Sequence, residues 1–236
     1  MTATLQAYKG KQSVKDKYIE RARKHREADQ VVQGMYWDGQ QGCCVGCLAH
    51  TDDNPHAKLA KDCCVDERLY HLADAIHEGL PEGEFESWPE RFMAAIPVGA
   101  DLSKVWYQFA AWLLSDSKLL TITDANREAI ATVAKLHKRA AKGDMPTADE
   151  WSAAADAAAD AAADAAADAA ADAAARAADA ADAADAAARA AYAADAAYAA
   201  YAADAAYAAY AADAVAWQKM AAKLLALMAA TTPKGT

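Results

Sequence analysis

Cys43, Cys47 and His50 fall at i, i+4 and i+7 in the stretch Gly42-Cys43-Cys44-Val45-Gly46-Cys47-Leu48-Ala49-His50. On a helix that spacing puts two thiols and an imidazole on one face. Soft and borderline donors so arranged suit Zn²⁺ or Cu(I), with His56, Cys63 or Cys64 as a fourth ligand. The same residues also pack as small hydrophobes, because free Cys is among the most buried residue types. A third use comes from Gly34, Gly39, Gly42 and Gly46, which make a loop that opens a helix. Backbone N–H groups at such a start bind anions and lower the pKa of a thiol. Three readings therefore stand: metal ligation by Cys43, Cys47 and His50, packing, or a thiol facing a ligand.

Two aromatic residues, Tyr36 and Trp37, sit in the same loop and offer flat faces to a base or another ring. Between Met1 and Glu27 there are 8 Lys or Arg against 3 acids. The resulting basic helix either docks near the chain's own acidic tail or supplies Lys11, Lys15, Arg21 and Lys24 to an anion site. Taken together, Tyr36, Trp37, Cys43, Cys47, His50 and these cations are the parts of a nucleotide-like pocket. The chain lacks G-x-x-x-x-G-K-[ST] and the strand context of a dinucleotide fingerprint. Cys47 and His50 are three residues apart, whereas a Cys-His dyad normally joins residues distant in sequence, so the expectation leans away from an enzyme.

The elements that must position these groups are helical. From Ala153 to Ala214, 44 of 62 residues are Ala and the rest are 11 Asp, 2 Arg and 5 Tyr, so this segment carries nine of the ten net negative charges. Asp recurs every four residues from Asp156 to Asp172, and later the step is three. A step of four advances about 40° around a helix and a step of three retreats about 60°, so no fixed polar face results. Ala has the highest helix propensity, which outweighs like-charge pairs at about 0.2–0.5 kcal/mol each. From Thr147 to Ala230 there is neither Gly nor Pro; one helix of roughly 80 residues would reach roughly 120 Å, and a bend into antiparallel helices over 149–187 and 190–230 is expected. Trp217, Met220, Leu224, Leu225 and Met228 should anchor the end in the core or a dimer.

Before the tail, apolar spacing predicts a helix from Ser13 to about Gln33, with Val14, Tyr18 and Ala22 on one stripe, and a short helix or turn at the Cys/His cluster. Asn54-Pro55 starts a helical region whose Val65, Leu69, Leu72 and Ile76 lead to a stop at Gly79. Pro89 begins a short helix, Asp101 caps another through Leu113, and a further helix runs from Asp124 to Lys142 with Gly143 as its stop. Lys118 to Thr123 is a short extended candidate. Thr147 to Glu150 reads as a capping box. His25 and His137 are expected in solvent, and His71 and His77 on a helix face.

The expected fold is all-α: a helical domain over 1–146 with the Gly/Cys/His loop, packed against an antiparallel Ala-rich hairpin over 147–230, then a disordered 231–236. No run of about 18 strongly apolar residues and no signal-peptide layout occur, so the expectation is a cytoplasmic protein without a membrane segment. Five Cys, an odd number, suit reduced thiols or a metal. The absence of Thr from Ala153 to Ala214 argues against an ice-binding repeat.

The block Gly34-Met-Tyr-Trp37, the G-C-x-V-G-C-x-x-H segment, Glu78-Gly79-Leu80-Pro81, Pro89-Glu90-Arg91-Phe92 and the segment Ala95 to Trp106, followed by the Ala-rich repeat, resembles uncharacterised bacteriophage and prophage proteins. Such a setting implies a small binding or blocking protein rather than a metabolic enzyme. The leading expectation is capture of a small anionic, nucleotide-like host defence signal, by a homo-oligomer. The alternatives are an acidic module that blocks a protein partner through the Ala/Asp tail, as a DNA mimic or immunity protein, and a zinc-stabilised structural domain.

Overall fold

The computed structural model describes residues 6–115, 127–164 and 214–233. Within them the chain is all-α: α1 (Gln12–Glu27), α2 (Cys44–Ala49), α3 (Pro55–Cys63), α4 (Glu67–Gly79), α5 (Trp88–Ala95), α6 (Val105–Leu113), α7 (Arg127–Lys142), α8 (Ala148–Asp164) and α9 (Ala214–Ala229). Short 3₁₀ turns occupy Ala7–Gly10 and Phe85–Ser87. Among the described residues β pairing is limited to two isolated bridges, Val31 with Gly42 and Ala100 with Pro233. No described helix is long and apolar enough to cross a membrane. The expected bend, the paired helices over 149–187 and 190–230 and the extended piece at Lys118 to Thr123 fall wholly or mostly outside the described residues.

Two compact units form, Met1–Trp106 with Ala214–Thr236, and Tyr107–Asp213. In the first, α1 packs on α5, and α9 returns against α4 and α5. Trp217, Met220, Leu224 and Met228 are buried there, as the apolar spacing of the terminal segment predicts, while Leu225 is half-buried. Gly79 makes the approach of α9 feasible, because a Cβ on it would lie 2.1 Å from the Trp217 indole. The centre of this unit is aromatic: Trp88 donates to the Ala73 carbonyl at 2.8 Å, Tyr8 to the Met93 carbonyl at 2.6 Å, and Tyr70 lies edge-on to Phe92. The Trp88 and Tyr8 donors each meet a backbone acceptor, which offsets their desolvation cost.

Helix ends explain where the boundaries differ from expectation. Ser13 to Gln33 shortens because Asp29 takes a left-handed φ of 52° and the Gln30 N–H returns to the His25 carbonyl. Asn and Asp tolerate that conformation better than other side chains. The region from Asn54 to Gly79 is two helices. Cys64, at φ 55°, ends the first, and Asp66 caps the second by accepting from the Arg68 N–H. Asn54 caps α3 ahead of Pro55, as its sequence predicts.

In the second unit, Val133, Leu136 and Ala140 of α7 are buried and Ile130 is half-buried. His137, expected in solvent, is fully buried between the rings of Tyr107 and Trp151. Its position between Leu136 and Ala140 on the apolar face carries it inward. The capping box at the start of α8 is present: the Thr147 N–H donates to Glu150 at 2.7 Å and the Glu150 N–H to the Thr147 hydroxyl at 3.2 Å. Arg139 braces the turn by bonding both Asp144 and Glu150.

Candidate functional site

The loop from Gln30 to Gly42 lies directly on α2. The Tyr36 carbonyl oxygen would stand 1.9 Å from a Cβ on Gly42 and 1.4 Å from one on Gly46, so only glycine fits at either position. Backbone bonds fasten the loop at both ends, Gly42 N–H to the Gln30 carbonyl at 3.0 Å and Cys43 N–H to the Met35 carbonyl at 2.7 Å. Its outer strand is tied to α4: His77 Nε2 donates to the Val32 carbonyl at 2.9 Å, Gln33 Nε2 donates to the His77 and Leu80 carbonyls, and the Gly34 N–H donates to Glu78. Asp38 closes the tip by accepting from the N–H groups of Gln40 and Gln41, each at 2.8 Å. Tyr36 and Trp37 are therefore displayed by a fastened loop, Tyr36 being 45% exposed and Trp37 half-buried.

Each aromatic residue meets a histidine group. Trp37 stacks on His50, centroids 4.7 Å apart and planes 15° from parallel. His50 ends α2 at a left-handed φ of 55°, which swings its ring away from the helix face. His50 Nε2 meets His25 Nε2 at 2.7 Å, and His25 Nδ1 meets Gln30 Oε1 at 2.8 Å. With Gln30 Oε1 accepting, His25 carries its proton on Nδ1, and His50 donates from Nε2. His25 is 9% exposed, which corrects its expected solvation; it closes α1 over the loop and touches the Trp37 edge. On the other side, Tyr36 lies edge-on to His56, which stacks on His71 at 3.9 Å and bonds Asp74 at 3.2 Å.

The field at His50 is positive. Burial first, then Arg21, His25, Lys58 and Lys17, push its imidazole down to about 4. Arg21 also donates to the Leu48 carbonyl at the end of α2 and crosses the Tyr18 ring. Lys58 pairs with Asp62 at 2.6 Å. The other cations singled out from sequence are placed differently. Lys15 donates to the Ala94 and Ile96 carbonyls at the end of α5, Lys24 lies 3.6 Å from Glu20, and Lys11 is exposed ahead of α1. Lys17 and Lys58 were not legible as site residues; their charges meet His50 only because α1 and α3 both pack on α2.

The three sulfur and nitrogen donors expected on one face diverge. Cys47 points its thiol at the Gly42 and Gln30 carbonyls, 3.1 and 3.4 Å away, His50 turns to His25, and Cys43 lies beside Asp74 and Glu78. The reason is that Cys43 precedes α2 in an extended conformation and His50 follows it in a left-handed one, so helical spacing does not extend to either. Burial pushes the Cys47 thiol up to about 12 and the Cys63 thiol to about 11, and drives Cys43 and Cys44 higher still. Such thiols are poor nucleophiles at neutral pH. No protein-family model, curated protein or solved structure matches this chain.

Proposed function

We propose that the protein binds a small anionic ligand carrying a flat ring, of the nucleotide class, at the loop of Tyr36 and Trp37. The observation that supports this reading is the Trp37–His50 stack set among Arg21, Lys58 and Lys17. An aromatic face accepts a base whatever its identity, and the surrounding cations favour a phosphate over a neutral group. His50 held neutral stays a stacking and hydrogen-bonding partner at physiological pH rather than a further charge. The resemblance to bacteriophage proteins supplies the setting: sequestration of a host defence signal.

Isothermal titration of the full chain with a panel of nucleoside monophosphates and cyclic nucleotides tests the reading. Trp37→Ala should weaken binding about tenfold to a hundredfold, since base stacking contributes about 1–3 kcal/mol. Absence of heat with every nucleotide, or equal affinity in wild type, Trp37→Ala and Arg21→Ala, would overturn it.

A further inference from the structure

Cys43 Sγ, an Asp74 carboxylate oxygen and a Glu78 carboxylate oxygen all lie within 4.8 Å of one another. They come from different parts of the fold: Cys43 immediately precedes α2, while Asp74 and Glu78 stand one turn apart on α4. A fourth group, His56 of α3, has a side chain only 6% exposed and bonds Asp74 Oδ2 at 3.2 Å. The remaining oxygen, Asp74 Oδ1, is buried with no hydrogen-bond partner. Two carboxylates at i, i+4 repel each other, and among the described residues no Lys or Arg pairs with either one. A buried carboxylate oxygen that meets no N–H or O–H donor, beside a second negative group and a weakly donating thiol, is a costly arrangement that a cation would satisfy.

We infer that Cys43, Asp74 and Glu78 form a binding site for a divalent borderline metal ion of the Zn²⁺ class, with His56 orienting Asp74 from behind. The donor set is one sulfur and two oxygens, which excludes a Ca²⁺ or Mg²⁺ preference and suits zinc. Three protein ligands leave a fourth position open. Tetrahedral bonds of about 2.0–2.3 Å place ligand atoms about 3.5 Å apart, so the present spacing closes by about an ångström. Glu78 supplies that movement, being exposed and held through the Gly34 N–H at 2.8 Å. The His56 to Asp74 bond holds the ligating carboxylate in place from behind. On binding, the Cys43 proton leaves to solvent and its sulfur bonds the metal. Because Glu78 also holds Gly34, and Tyr36 rests on His56, the ion would brace the aromatic loop from beneath.

This site is independent of the proposed nucleotide binding and is tested without it. The full chain, stripped with a chelator under reducing conditions, is titrated with Co²⁺ alone and followed by the near-ultraviolet thiolate-to-Co²⁺ absorption. One equivalent should develop the band, Cys43→Ser should abolish it, and Glu78→Gln should weaken binding at least tenfold. Cys64→Ser should leave both unchanged. Glu78 is exposed, so Glu78→Gln keeps the test decisive even where Cys43→Ser fails to fold. The site is overturned by no band in the wild type, by a band that survives Cys43→Ser, or by wild-type affinity in Glu78→Gln. Loss of the band in Cys47→Ser with Glu78→Gln unaffected would also overturn it, placing the metal on Cys47.

Discussion

The Gly46 Cα lies so close beneath the Tyr36 carbonyl that a Cβ there would stand 1.4 Å from the oxygen. That contact seats the aromatic loop on α2 and sets where Trp37 can stack. Gly46→Ala must push the loop away, and overpacking of this kind costs about 1–3 kcal/mol. The expected result is a lower urea midpoint together with altered near-ultraviolet circular dichroism as the Trp37–His50 pair separates. Gly39→Ala is the comparison: nothing lies within 4 Å of its Cβ position, and its φ of 105° carries only a local backbone penalty. Gly39→Ala should therefore lower stability while leaving the aromatic signal intact.

Stability should fall on acidification, with His50 contributing beside His71, which burial also holds down to about 4. An ordinary His titrates near 6.5, and in the fold burial and then Arg21, His25, Lys58 and Lys17 hold His50 down to about 4. The unfolded chain thus binds the proton more readily, so the contribution is complete above about 6.5, shrinks as pH falls, and is lost by about 4. His50→Asn, which tolerates the left-handed backbone, should give a flatter dependence of Tm on pH across that window. Parallel curves for the two proteins would contradict this.

Gly79→Ala should release α9. The new Cβ would enter the Trp217 ring at 2.1 Å, and the urea midpoint should drop by several tenths of a molar or more for a loss of about 1–3 kcal/mol. Trp217→Ala creates a cavity and is destabilising by itself, but it removes the clash. The double variant should therefore lose less than the sum of the two, a coupling that a double-mutant cycle reads directly.

Thiol labelling should divide the five cysteines. Cys64 is half-exposed, whereas Cys43, Cys44, Cys47 and Cys63 are buried. A disulfide reagent at neutral pH should label one thiol quickly in the native protein and all five in denaturant, and Cys64→Ser should remove the fast phase. Rapid labelling of Cys47 would contradict the carbonyl contacts and the high pKa assigned to it.

Loss of the capping box should fray α8. Thr147→Ala removes the acceptor for the Glu150 N–H, a change of about 1 kcal/mol, and Glu150→Ala removes both the reciprocal bond and an Arg139 contact. Backbone amide exchange at the start of α8 should accelerate in both variants, more so in Glu150→Ala.

Apolar spacing and capping residues made most of the described helices legible, including the Asn54-Pro55 start, the Gly143 stop and the Thr147 capping box. Those signals are local, and local backbone chemistry decides them. The break at Cys64 was not visible, because a left-handed Cys has no sequence signature. Tyr36, Trp37 and His50 were recognisable as neighbours in one loop and helix. Their partners were not: His25, Lys17 and Lys58 reach His50 through packing of α1 and α3 on α2, and Asp74 and Glu78 reach Cys43 across α4. The Cys43–Cys47–His50 face depended on helical geometry continuing past both ends of α2, and the six-residue helix is too short for that.

Native mass spectrometry of the full chain, purified from a bacterial host and mixed with a defined pool of nucleotides and cyclic nucleotides, tests the central claim of anionic-ring capture most directly. An added mass matching one pool member, one per chain, is expected, and it should disappear in Trp37→Ala. Spectra with no nucleotide adduct in the wild type, or an adduct retained undiminished in Trp37→Ala, would contradict it.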